Sequence, residues 1–120
     1  MPKARNRWER CNQILAWAKT EFPIPAETRL RVAKKVLYKK QECAGLTYRE
    51  RGRMYIALSS SALPNEFCAT LILMHELGHA WLFDEGLGME HGPRFRECAG
   101  KIEDAWEHHG LSDSETFPVD

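Results

Sequence analysis

The stretch from Phe67 to Phe83 constrains this chain more than any other. Its apolar residues fall on every side of a helical projection, with Thr70, His75, Glu76 and His79 as the polar exceptions. A helix apolar all round belongs at the centre of a domain, where other elements cover it. Burying a polar group there costs about 2–7 kcal/mol unless a partner satisfies it. His75 and His79 are four residues apart, so their rings share one helix face and can converge on a single ion. Glu76 points to one side of that pair. The segment therefore predicts a central buried helix whose polar inclusion is a metal site.

The rest of the chain supplies the cover. Arg7 to Glu21 places Trp8, Cys11, Ile14, Leu15, Trp17 and Ala18 at helical spacing, and Phe22-Pro23-Ile24-Pro25 ends that helix. From Thr28 the period changes: Leu30, Val32 and Val36 against Arg29, Arg31 and Lys35 read as one strand with a wet face. Ala44 to Glu50 reads as a second strand, with Leu46 and Tyr48 alternating against Thr47 and Arg49. Arg51-Gly52-Arg53 is a turn and Met54 to Ser59 a third strand, so residues 44–59 form a hairpin. Tyr38 to Glu42, with Lys39 and Lys40, reads as a solvated connection, with contact to nucleic acid as the alternative. Pro64-Asn65-Glu66 opens the central helix. Asp84 to Gly92 holds three glycines and is a loop. Pro93 starts a last helix, running to about His109, with Phe95, Cys98, Ala99, Ile102, Ala105 and Trp106 on its apolar stripe and Gly110 stopping it. Residues 111–120 read as a flexible tail. The expectation is an α+β fold: N-terminal helix, small three-stranded sheet, central helix and C-terminal helix.

A length of 120 residues with 43% apolar and 28% charged side chains fits one globular domain, residues 1–120, with its core at about 7–110. No run approaches the ~18 apolar residues of a membrane helix, and Met1 to Arg10 is followed by no apolar h-region. No membrane partner is expected, and the cytoplasm of a bacterial or phage-infected cell is the expected location. Cys11, Cys43, Cys68 and Cys98 form no C-x-x-C pair, so they read as buried free thiols in a reducing compartment. The net charge of zero hides an asymmetry. Residues 1–53 carry 14 Lys+Arg against 5 Asp+Glu, and residues 54–120 carry 3 against 12. The basic half can face nucleic acid; two halves of one domain attracting each other explain the same numbers.

Two histidines flanking a glutamate as H-E-x-x-H on a helix are the ligand-and-base arrangement of zinc peptidases. A catalytic zinc takes three protein ligands and keeps a fourth position open. The metzincin spacing needs Gly at 82 and His at 85, where this chain has Leu82 and Glu85. A glutamate of the last helix, Glu97 or Glu103, is one option for the third ligand. His91 is the other, at the end of a glycine-rich loop long enough to double back.

His75-Glu76-Leu77-Gly78-His79-Ala80-Trp81, followed by His91-Gly92-Pro93-Arg94-Phe95, resembles the SprT-like metallopeptidases, the family that includes Spartan. Cys43-Ala44-Gly45-Leu46 and Ile56-Ala57-Leu58-Ser59 resemble two of its strands, so the likeness covers roughly residues 8–106. The resemblance implies a zincin-like minimal metallopeptidase domain acting on a protein or peptide substrate. It implies one Zn2+ per chain on His75, His79 and His91, with Glu76 as general base. The cysteines of the zinc ribbon that many members carry are not in this sequence. Zinc in such a site acidifies its water and polarises a scissile carbonyl, and the glutamate moves the proton to the leaving amine. The substrate is expected to add as a strand to a Met54–Ser59 edge. Tyr55, Arg94 and His108 are candidate oxyanion stabilisers.

Two other functions compete. H-E-L-G-H also occurs in ImmA/IrrE-like regulatory peptidases, which use a glutamate as third ligand. A binding protein that keeps the metal fold without using it for hydrolysis is the other. His108 and His109 sit where a helix C-terminus favours imidazolium. Trp8, Trp17, Trp81 and Trp106 read as core.

Overall fold

A computed structural model describes residues 3–109; the expected tail lies outside the described residues. Asn6 starts the first helix, its side-chain oxygen accepting from the Trp8 and Glu9 amides at 3.0 and 2.9 Å. Helix α1 spans Arg7–Glu21, as its periodicity predicts, and buries Cys11, Ile14, Leu15, Trp17 and Ala18. Arg10 is also fully buried. It donates to Gln13 at 2.8 Å and lies 3.9 Å from Glu66 at the start of the central helix.

The expected strand over 30–36 is two elements. Strand β1, Arg29–Ala33, stops before Lys34, and Val36 belongs to β2, Val36–Tyr38, which pairs with β3, Gln41–Cys43. The supposed connection at Tyr38 to Glu42 is thus a hairpin, turned by Lys39 and Lys40 at φ 51° and 67°. Such turns normally announce themselves through Asn or Gly. Two lysines hide the signal. The hairpin expected over 44–59 forms as β4, Gly45–Glu50, and β5, Arg53–Ser59, joined by Arg51 and Gly52 with positive φ.

The main sheet has the order β1-β5-β4, with β1 parallel and β4 antiparallel to β5. Strand β5 is therefore central. The edge expected at Met54–Ser59 does not exist, because both of its sides are paired. Met54, Ile56 and Leu58 point to the helices and are fully buried. Strands β1 and β4 are the sheet's two edges, and β4 is the one beside Glu76. Its inward residue is Thr47, not Leu46 or Tyr48, because register with β5 sets the face: Thr47 pairs Ile56, while Tyr48 pairs Tyr55.

The central helix α2 runs Glu66–Phe83, with Asn65 as cap accepting from the Cys68 amide at 2.9 Å. It packs on α1, on β4 and β5, and on α3, Pro93–Glu107. It is the hub, but it is not covered on every side: Phe67 and Leu71 are 71% and 47% exposed. Trp17 contacts Phe22 and Trp106 edge-on, and Phe22 reaches Trp81, so an aromatic chain ties the three helices together. No helix among the described residues is long and apolar enough to cross a membrane.

Candidate metal centre

Helix α2 carries His75 and His79 one turn apart, with Glu76 next to the first. Its end is shaped by Gly86, which adopts φ 78°. The Leu87 amide returns to the Leu82 carbonyl and the Gly86 amide to Phe83, at 3.2 Å each. This pair of bonds needs a left-handed residue, which glycine supplies without strain. Leu87 packs beside Leu82. Gly88 then passes so close to Phe83 that a Cβ would sit 2.6 Å from its ring. The tight loop brings back His91 just before Pro93 opens α3.

The three imidazoles meet. His75 Nε2 lies 3.1 Å from His79 Nε2, His79 Nε2 lies 3.1 Å from His91 Nε2, and the third side is 3.3 Å. Three acceptor nitrogens facing one another need a cation between them. A tetrahedral zinc at about 2.0–2.1 Å from each nitrogen requires N···N separations of about 3.3–3.4 Å. The observed triangle is within a few tenths of that. Burial and the neighbouring His75 and His91 push the His79 imidazole down to about 4. His75 is also lowered, by burial and by His91. Both rings are thus neutral near pH 7, the form that donates a lone pair to a metal. The His79 Nδ1 is buried with no well-formed hydrogen bond, and the Gly88 backbone is the one neighbour favouring its charged form. The residues present fit a metal ion.

Phe95 is the clamp. Its buried ring lies 4.9, 4.5 and 5.1 Å from the His75, His79 and His91 rings, centroid to centroid. It can do so because residue 78 has no side chain: a Cβ there would stand 2.9 Å from Phe95. The apolar partner at 95 and the glycine at 78 thus set how far α3 approaches the three imidazoles.

Glu76 is buried, 5% exposed, on the β4 side of the histidines. The Thr47 hydroxyl donates to Glu76, its Oγ1 2.8 Å from Oε1 and 3.0 Å from the Glu76 carbonyl, the carboxylate oxygen being the nearer acceptor. Burial pushes the Glu76 carboxyl up to about 7, against the opposing effect of Thr47. A group with that affinity takes and returns a proton readily at neutral pH. Gly45 makes the approach possible, since a Cβ there would lie 2.8 Å from Ile72 and 3.1 Å from Glu76. The sequence reading missed Thr47. Alternation along β4 separates two faces without saying which one meets the helix, and pairing with β5 turns Thr47 inward.

The other candidates lie elsewhere. Glu97 is tied to Arg94 at 2.5 Å and to Lys101 at 3.7 Å, and Glu103 is exposed. Tyr55 is on the opposite face of the sheet, stacked on Tyr48 with Arg31 3.7 Å above its ring. Arg94 holds Glu85 at 3.2 Å, fastening the loop to α3. His108 caps the far end of α3, its Nδ1 2.7 Å from the Asp104 carbonyl.

An α+β fold with a central H-E-x-x-H helix and a third histidine returned by a loop defines a zinc-metallopeptidase-like domain. The chain belongs to the SprT-like family, whose sequence model matches residues 5–116. It has no significant match among curated proteins or among solved structures.

Proposed function

We propose that this protein is a zinc-dependent peptidase acting on a protein substrate. The observation that carries the reading is the convergence of three imidazole nitrogens beside a buried glutamate of raised proton affinity. His75, His79 and His91 hold the metal, which supplies Lewis acidity when bound, acidifying water and polarising the scissile carbonyl. Glu76 removes the proton of the attacking water through the oxygen that Thr47 leaves unbound. It then passes that proton to the nitrogen as the C–N bond breaks. The substrate lies extended and adds antiparallel to the open edge of β4, where main-chain groups await a partner. The engagement of Glu97 by Arg94 and Lys101 favours His91 over a glutamate as third ligand.

Metal analysis of wild type beside His91→Ala tests the ligand set. One zinc per chain in the wild type and near none in the variant is expected; a variant that keeps its zinc refutes it. Glu76→Gln separates hydrolysis from binding. It should retain zinc and lose cleavage of an unstructured protein such as casein, and undiminished cleavage would remove Glu76 from the mechanism.

Nucleic acid is a second partner that one surface favours. Arg29, Arg31 and Arg53 lie on the sheet face that carries Tyr48 and Tyr55, away from the helices. Binding there should weaken steeply with added salt, and a flat salt response would exclude it. The four free cysteines suit a reducing compartment; burial and the nearby Glu66 push the Cys11 thiol up to about 12.

A further inference from the structure

Phe67 and Leu71 break the rule that governs the rest of α2. They are large, apolar and exposed, at 71% and 47%, on a helix otherwise buried among its neighbours. They stand eight and four residues before His75, so the three residues line one helix ridge. Ile72, half-buried, lies alongside and touches the position a Gly45 Cβ would occupy. The result is an uncharged strip that begins at the metal ligands and runs toward the start of the helix.

Strand β4 runs the same way as α2. Gly45 faces Ile72 and Glu76, Thr47 bonds Glu76, and Arg49 reaches Asp84 at 2.8 Å and the Phe83 ring. A peptide added antiparallel to β4 therefore enters at the Arg49 end. It crosses the metal site and leaves past Gly45, over Leu71 and then Phe67. Helix rise puts Leu71 about 6 Å and Phe67 about 12 Å from His75 along the axis. An extended chain advances about 3.4 Å per residue, so these side chains meet positions about two and four residues beyond the cut.

We propose that Phe67, Leu71 and Ile72 form the recognition surface for the segment that follows the scissile bond, selecting protein substrates with apolar side chains two to four residues after it. The occupant is an extended apolar stretch of substrate, because the strip is continuous with the metal centre and aligned with the open strand edge. This rests on the peptidase reading, and its test separates the two.

The probe is a fluorescein-labelled decapeptide with a Ser/Gly N-terminal half and a Leu/Val/Phe C-terminal half, beside the peptide of reversed sequence. Zinc-loaded Glu76→Gln protein should bind the first about tenfold more tightly than the second, and adding Phe67→Ser and Leu71→Ser should remove that preference. Both side chains are exposed, so the thermal midpoint and zinc content should hold, which separates lost recognition from lost folding. Cleavage sites in casein, mapped by mass spectrometry, should show apolar residues enriched two to four positions after the cut in the wild type, and no enrichment in the double variant. Equal affinity for the two peptides, enrichment before the cut, or an unchanged site profile in the double variant would each overturn the proposal. So would a dimer in sedimentation that the double variant abolishes while peptide affinity stays the same, since a second copy would then cover the strip. A wild type that binds the forward peptide through the strip but cleaves no protein would sink the peptidase reading and keep the docking surface.

Discussion

The Thr47 hydroxyl governs how Glu76 presents its carboxylate. It holds one oxygen at 2.8 Å and leaves the other beside Gly45. Thr47→Val keeps the shape and removes the bond. The expected result is a loss of about 1–2 kcal/mol of stability, since a buried carboxylate oxygen loses its donor. Zinc should be retained, while kcat falls by about tenfold or more. Thr47→Ser should recover most of both, and a Val variant as active as wild type would show the bond to be idle. Glu76 also carries a pH signature in the metal-free protein. Its folded carboxyl titrates at about 7, above the ordinary 4.5, so the folded state holds a proton that the unfolded state has lost. That contribution favours folding below 4.5 and disappears as pH rises through 7. Glu76→Gln should therefore stabilise the metal-free protein at pH 8 by about 1–3 kcal/mol and leave it nearly unchanged at pH 4.5. Denaturation midpoints at the two pH values check this; an equal shift at both would refute it. His79 acts in the opposite sense. Its folded value near 4 lies below the ordinary 6.5, so its contribution is present above 6.5 and is lost as pH falls toward 4.

At the level of elements, the contact between α2 and α3 decides where His91 stands. Gly78 is its closest point, with Phe95 in the space a side chain would need and Ala99 3.4 Å away. Gly78→Ala gains about 1 kcal/mol of helix propensity. The Phe95 ring cannot yield, because it lies among three imidazoles and is itself buried. Overpacking should cost about 1–3 kcal/mol and win. Pushing α3 outward displaces His91, so zinc affinity should drop about 10–100-fold, measured by chelator competition. An alanine variant with wild-type affinity would show that the loop, not the helix contact, sets the third ligand.

For the whole molecule, three histidines from two segments close one site, so metal binding should add to folding free energy. Zinc at about a hundred times its Kd should raise stability by about 2.7 kcal/mol, and chelator should reverse it. An unfolding midpoint indifferent to zinc would contradict the site.

Much of this was legible in the chain. The helix starts at Asn6, Asn65 and Pro93 follow from capping chemistry, and all three helices fall where 3.6-residue periodicity puts them. The convergence of His75 and His79 was legible because buried polar groups at fixed helical spacing have few uses. What the sequence could not say is which strand is central and which face of β4 turns inward. Alternation along a strand fixes two faces but not which one meets the core, and that choice is made by pairing with β5. Nor does a chain show the spaces that other segments fill, at Gly45 against Ile72 and Gly78 against Phe95. Local periodicity and residue chemistry determined the helices and the histidine and glutamate pattern of the central one. Register and close packing between distant segments, which are properties of three dimensions only, decided which strands are edges, the partner of Glu76 and the bare apolar strip beside the histidine triangle.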